Sequence, residues 1–316
     1  MMKTITINEC AKHLLKADNI LILMHKSPDG DAVGCAYALA HALRKAGKKA
    51  MPACSDDIPK KYGYITNSLE IQDFEPEYIV TVDLADTPLF GDKLIQYKDK
   101  VDLCIDHHGS NTGFAKYGYI DADAGACAQI VKKIIDCMDI EIDKNIANPI
   151  FTGISTDTGC FKYSNASVES YRMAADMLEC GAEGFFINNL MFDTKSRQRL
   201  EMERLALESM KFYNDGQIAV IFITRDIMER SGAEDGDTEG ISGIPRQVEG
   251  VKIGITFREK EKDNFKISMR SSGEIDVSAL CKKLGGGGHK AAAGCSMTGD
   301  INEIEKTIVS LAGTAL

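Results

Sequence analysis

Apolar and polar residues alternate along this chain with two different periods, and the period switches repeatedly through the first half. Residues 19–25, NILILMH, are an almost unbroken apolar run, as expected of a parallel strand covered on both faces. The next segment, AVGCAYALAHALRKAG (32–47), has helical periodicity and stops at Gly47. The same alternation follows twice more. EYIVTVDLAD reads as strand and loop, PLFGDKLIQYKDK as helix, VDLCIDHHGS as strand and loop, and AGACAQIVKKIIDCM as helix. An earlier helix over TINECAKHLL opens with a T-x-x-E capping box from Thr6 to Glu9. Strands alternating with helices predict an α/β domain around a parallel sheet.

Behind it, residues 143–180 read as two helical pieces broken by FKYSNAS. A long polar helix over DTKSRQRLEMERLALESMKFY runs into the turn Asn214-Asp215-Gly216. QIAVIFIT, VKIGITFRE and NFKISMRS then have strand-like alternation. The pattern therefore predicts a first domain over 1–190, a helical linker over 191–213 and a smaller α+β domain over 214–316. A length of 316 residues suits two domains of that size.

Composition narrows the class. With 44% hydrophobic and 27% charged residues the chain is an ordinary globular one. No apolar run approaches a membrane span, and MMKTITINECAKHLL is a poor signal peptide, so a cytoplasmic location without membrane association is expected. The ten cysteines form no C-x-x-C pair and mostly sit in apolar patterns; they read as small buried hydrophobes in a reducing compartment rather than disulfides or structural zinc. The net charge of −10 argues against long duplex DNA as a partner. Residues 241–290 nevertheless hold ten Lys/Arg against six Asp/Glu, leaving −14 on the remainder. An acidic body with a locally basic segment suits a small anionic substrate.

The candidate chemistry lies where the strands end. LILMH delivers His25, then Asp29 and Asp31; YIVTVD delivers Asp83; VDLCID delivers Asp106, His107 and His108. Asp157 lies in GISTDTGCF, leaving a helix. Ligands of open parallel sheets bind outside the carboxyl ends of the strands, so these clusters are expected to converge. Each has an ordinary alternative: Asp29-Gly30-Asp31 as a turn, Asp83 and Asp86 as helix caps, a histidine as a satisfied polar group. Together, however, the acids would repel one another in a crevice, and divalent cations remove that cost. Carboxylate and imidazole without thiolate fit Mn²⁺, with Mg²⁺ or Co²⁺ as alternatives. The ligands are too many for one ion that also binds water, and suit two ions bridged by a shared Asp.

HKSPDGDAVG, TVDLAD, DHHGSN and TGISTDTG, in this order, resemble the four motifs of the DHH phosphoesterase superfamily. GGGGHKAAAG (285–294) resembles the Gly-Gly-Gly-His motif of the associated C-terminal domain. The resemblance covers essentially the whole chain. It implies a DHH catalytic domain and a DHH-associated substrate domain, with the substrate cleft between them. The chain's length resembles the nano-RNase/pAp phosphatase branch more than RecJ or the cyclic-dinucleotide enzymes. Family II pyrophosphatases lack the C-terminal motif.

The resemblance implies one metal held by His25, Asp29 and Asp83, and a second held by Asp31, Asp83, His107 and Asp157, with Asp83 bridging. It implies that His108 faces the substrate phosphate and that Asp106 orients an imidazole, so the catalytic set is His108, Asp106 and Asp83. Asp86 matches no ligand position. Gly286, Gly287 and Gly288 let backbone N–H groups approach an anion, to which His289 adds a donor; Arg270, in SMRSSG, is a candidate bidentate phosphate donor. The implied activity is metal-dependent hydrolysis of short single-stranded oligoribonucleotides or nucleotide phosphates, including 3′-phosphoadenosine 5′-phosphate. A phosphodiesterase for linear or cyclic dinucleotides and a non-catalytic nucleotide-binding protein are the alternatives. The sequence leaves the oligomeric state open, a homodimer included.

Overall fold

A computed structural model of the chain describes residues 2–238 and 240–316. It divides into two compact units, Met1–Thr194 and Lys195–Leu316.

The first unit is built on strands β1 (Lys3–Thr4), β2 (Ile20–Leu23), β3 (Ala50–Ala53), β4 (Tyr78–Val82), β5 (Leu103–Asp106) and β6 (Tyr117–Ile120). They form a sheet in the order β1-β6-β5-β4-β2-β3, every pairing parallel. Ile20, Ile22, Val80, Val82, Leu103 and Ile105 are buried in one core cluster, while Leu23, Ile79 and Cys104 belong to a cluster on the other side. That double coverage is why these strands carry continuous apolar runs. The chain leaves β2 for β3 on one side and returns to β4 on the other. The carboxyl ends of β2 and β4 therefore flank a topological switch point, where an open sheet leaves a crevice.

Helices α1 (Ile7–Lys16), α2 (Gly30–Lys45), α3 (Gly63–Thr66), α4 (Cys127–Cys137), α5 (Lys144–Asp157), α6 (Val168–Glu179) and α7 (Gly184–Asn188) complete the unit. Helix α1 starts on the reciprocal Thr6–Glu9 capping box expected from the sequence. The packing of α2 against α5 depends on missing side chains. A Cβ on Gly34 would lie 2.4 Å from the Pro149 carbonyl oxygen, and one on Gly153 would lie 2.6 Å from both Ala128 Cβ and Asp31 Oδ1. The segment 88–100, expected as one helix, forms only 3₁₀ turns at Thr87–Phe90 and Ile95–Tyr97. The break is at Gly91, whose φ of +70° leaves the helical region while its α-carbon packs on Ser55.

The second unit holds β7 (Lys211–Tyr213), β8 (Ile218–Ile223), β9 (Ile253–Glu261), β10 (Asn264–Ser271), β11 (Gly287–His289) and β12 (Ala292–Thr298), ordered β11-β12-β10-β9-β8-β7. Among the described strands of this second sheet only β8 and β9 pair in parallel. Helices α10 (Val277–Lys282) and α11 (Ile301–Gly313) cover one face. Helix α8 (Arg197–Glu208), expected within a linker, instead packs Met202, Leu205 and Ala206 against Ile221 and Ile223 of β8 and Ile227 of α9 (Arg225–Ser231). It is part of this unit's core because its apolar residues recur with helical spacing on one side.

Candidate metal centre

His25 lies two residues beyond β2, Asp83 follows β4 directly, and Asp106 ends β5 with His107 and His108 behind it. Three parallel strands thus deliver their terminal residues to one edge. The N-terminus of α2 brings Asp29 and Asp31, and the last residue of α5 is Asp157.

Three overlapping groups of side chains result, the third being Asp83, His107 and His108, with His108 Nδ1 3.6 Å from Asp83 Oδ1. In the first, His25 Nε2 lies 3.8 Å from Asp29 Oδ1 and 3.7 Å from Asp83 Oδ2. In the second, His107 Nε2 lies 3.9 Å from Asp31 Oδ2 and 3.6 Å from Asp157 Oδ2. Asp83 joins them, its Oδ1 being 3.5 Å from His107 Nε2. These separations are too long for hydrogen bonds. They approach the spacing of ligand atoms around a shared cation with bonds of about 2.0–2.2 Å. The other nitrogen of each ring is engaged with the backbone: His25 Nδ1 meets the Lys26 carbonyl at 2.7 Å, and His107 Nδ1 the Ala124 carbonyl at 3.1 Å. An Nδ1–H donated to a carbonyl leaves Nε2 as the nitrogen facing the carboxylates, the one a cation would take on displacing its proton.

Asp83 is the most constrained member. It is 3% exposed, adopts a left-handed φ of +52°, and its buried Oδ1 has no hydrogen-bond partner among the described residues. A buried carboxylate oxygen without a donor is costly, and strained backbone of this kind persists where the surroundings enforce it. A cation at this point would satisfy the oxygen. The electrostatics agree. Burial first, then repulsion from Asp83, pushes Asp31 up to about 7. Burial likewise raises Asp83, and desolvation followed by repulsion from Asp31 and Asp83 raises Asp157. Burial disfavours a charged His25, but Asp29 and Asp83 outweigh it and hold the ring up at about 11. The cluster holds excess negative charge that a divalent ion would offset.

Helix ends hold two of the acids. Asp29, half exposed, caps α2 by accepting from the Asp31 and Ala32 amides at 3.0 Å. Asp31, fully buried, accepts from the Cys127 and Ala128 amides at 2.6 and 2.9 Å, at the N-terminus of α4.

His108 differs from the ring pair above. Its Nδ1 is hydrogen-bonded to Asp106 Oδ1 at 2.7 Å, and Asp106 also accepts from Asn111 Nδ2 at 2.7 Å and the His107 amide at 2.8 Å. Burial opposes the charge on His108, but Asp106 prevails and raises it to about 9. Asp106, expected among the catalytic residues, is entirely buried beneath the ring it holds, so it positions His108 without reaching solvent. Asp86 lies outside the cluster and caps a turn through the Thr87 amide, accepting also from Thr112 Oγ1. Sequence reasoning missed Asn111; its one signal was a polar residue closing DHHGSN.

In the second unit, Gly287 of β11 pairs with Gly294 and His289 with Ala292 on β12, at the edge of the sheet. A Cβ on Gly286 would lie 2.2 Å from the Gly294 carbonyl oxygen, so this glycine serves the fold. Gly288, at φ +141°, is equally constrained. Around Gly287 there is open space. Arg270 on β10 also pairs with Ala292. Directly paired residues share a face, so Arg270 and His289 flank Ala292 in one cross-strand row, two strand spacings or about 10 Å apart.

Two family models match the chain: the DHH family N-terminal domain over residues 19–154 and the DHHA1 domain over 215–313. The chain belongs to the DHH family. A DHH relative from Thermus thermophilus, named a bifunctional oligoribonuclease and PAP phosphatase NrnA, is 33% identical over 89% of this chain and 84% of its own length. One of the same name from Bacillus subtilis is 22% identical over 89% of this chain and 90% of its own. An exopolyphosphatase-related protein from Bacteroides fragilis superposes with a TM-score of 0.86 at 27% identity, covering 98% of this chain and 94% of that one. As a DHH protein this is an enzyme, a metal-dependent phosphoesterase. No helix among the described residues is long and apolar enough to cross a membrane.

Proposed function

We propose that the protein hydrolyses very short oligoribonucleotides to mononucleotides, and 3′-phosphoadenosine 5′-phosphate to AMP, using two divalent ions, best fitted by Mn²⁺. The observation that carries this reading is the donorless Asp83 oxygen between two histidine–carboxylate groups. The names of the Thermus and Bacillus relatives support the substrate class.

In this reading His25, Asp29 and Asp83 hold one ion, and Asp31, Asp83, His107 and Asp157 the other. When bound, the ions supply Lewis acidity and a water acidified towards neutrality. The remaining chemistry belongs to the chain. His108, kept cationic and oriented by Asp106, donates from Nε2 to a non-bridging phosphate oxygen as charge builds there. Arg270 and His289, with the open backbone at Gly287, form an anion-binding edge on the second unit for a neighbouring phosphate.

The test is a substrate panel: the protein with quantified Mn²⁺, Mg²⁺ or Co²⁺, given pApA, 3′-phosphoadenosine 5′-phosphate and cyclic di-AMP. Faster turnover of the two linear substrates supports the proposal. Preference for the cyclic dinucleotide overturns the substrate class, and a metal-replete protein inert on all three overturns catalysis of this kind.

A further inference from the structure

Directly after Asp157 the backbone does something rare. Gly159, Cys160 and Phe161 have φ of +59°, +58° and +62°, three left-handed residues in succession. Two of them carry side chains, and each such residue costs about 1–3 kcal/mol and persists only where its surroundings hold it. Here they do. Cys160 donates its amide to the Ser155 carbonyl at 2.7 Å, and Phe161 its amide to Thr158 Oγ1 at 3.2 Å. The Phe161 ring packs 5.1 Å from that of Tyr171, whose hydroxyl donates to the Phe161 carbonyl. Asn165 closes the loop by donating to the Asp157 carbonyl at 3.1 Å and the Gly125 carbonyl at 2.9 Å.

The product of this held turn is the placement of Tyr163. Its ring lies so close over Gly159 that a Cβ there would be 2.4 Å from Cε2 and Cζ. The side chain is therefore seated two residues from Asp157, yet Tyr163 remains 57% exposed. Core packing does not account for an aromatic residue in that position. A strained turn that seats a largely exposed ring over Gly159, two residues after Asp157, has the design of a stacking platform.

We infer that Tyr163 is a substrate-binding residue that stacks on a nucleobase of the oligonucleotide whose phosphodiester is cleaved at the adjacent centre. The inference rests on the proposed function and extends it, because a stacking ring binds any base by its face, whatever the sequence. It assigns recognition of the base to the first unit, separate from the phosphate contacts proposed for Arg270 and His289.

The test compares the full-length, Mn²⁺-loaded protein with its Y163A and Y163F variants on pApA and on an analogue lacking both bases. Tyr163→Ala is expected to raise KM for pApA about tenfold while kcat and metal content stay near wild type. Tyr163→Phe is expected to restore KM, because stacking needs the ring and not the hydroxyl. On the abasic analogue all three proteins are expected to share one KM. An unchanged KM for pApA in Y163A, or an equal rise on the abasic analogue, overturns the inference while leaving the proposed function intact. A wild-type protein inert towards pApA overturns the proposed function and this inference with it.

Discussion

His108 and Asp83 both touch the same centre, yet they are held in opposite ways. Asp83 has an oxygen with no donor among the described residues, whereas His108 is locked by a buried carboxylate that is itself locked by Asn111. The consequence is separable roles. His108→Ala is expected to lower kcat by about 10²–10³, the cost of one donor to a developing oxyanion, with bound metal unchanged by elemental analysis. Asn111→Ala is expected to cost less and to add nothing in the H108A background, since it acts only through that ring; a double-mutant cycle in kcat reads this directly. Additive losses would show that Asn111 works by another route.

At the scale of elements, two helix starts and one helix end are brought together by glycines. Gly153 of α5 leaves no space for a methyl group, because Asp31 Oδ1 and Ala128 Cβ are each 2.6 Å from where it would be. Gly153→Ala is expected to destabilise the fold by about 1–3 kcal/mol and to weaken metal binding, because Asp31 must shift. Thermal unfolding with and without Mn²⁺ measures both, and Gly243→Ala, which has nothing within 4 Å, serves as the silent control. A G153A protein with normal metal affinity would show that Asp31 tolerates displacement.

The same scale shows what the sequence disclosed. The runs ending in His25, Asp83 and Asp106 announced both the strands and the site, because burial on two faces and a polar terminus leave a plain mark. The edge strands β1 and β3, and β6 beside β1, are two to four residues long and carry no such run. Nor could a sequence disclose the supports made of backbone: the Lys26 and Ala124 carbonyls behind the histidines, or the α4 amides under Asp31. The second ligand of each interaction is a peptide group, present at every residue and so silent in composition.

Across the whole molecule, the proposals place the metal chemistry and the stacking ring on the first unit and a phosphate contact on the second, each unit having its own core. His289→Ala is therefore expected to raise KM for short oligonucleotides severalfold while metal content and the unfolding of the first unit stay constant. Loss of bound metal in H289A would mean that the glycine-rich edge belongs to the metal centre after all.

The central claim is that two ions share Asp83. It is tested most directly by counting metal per chain in wild type and in D83A by elemental analysis, alongside turnover of pApA. The account predicts two Mn²⁺ per wild-type chain, loss of both together in D83A, and loss of turnover with them. A single ion in the active wild-type enzyme, or a D83A protein that keeps its metal and most of its activity, would contradict it.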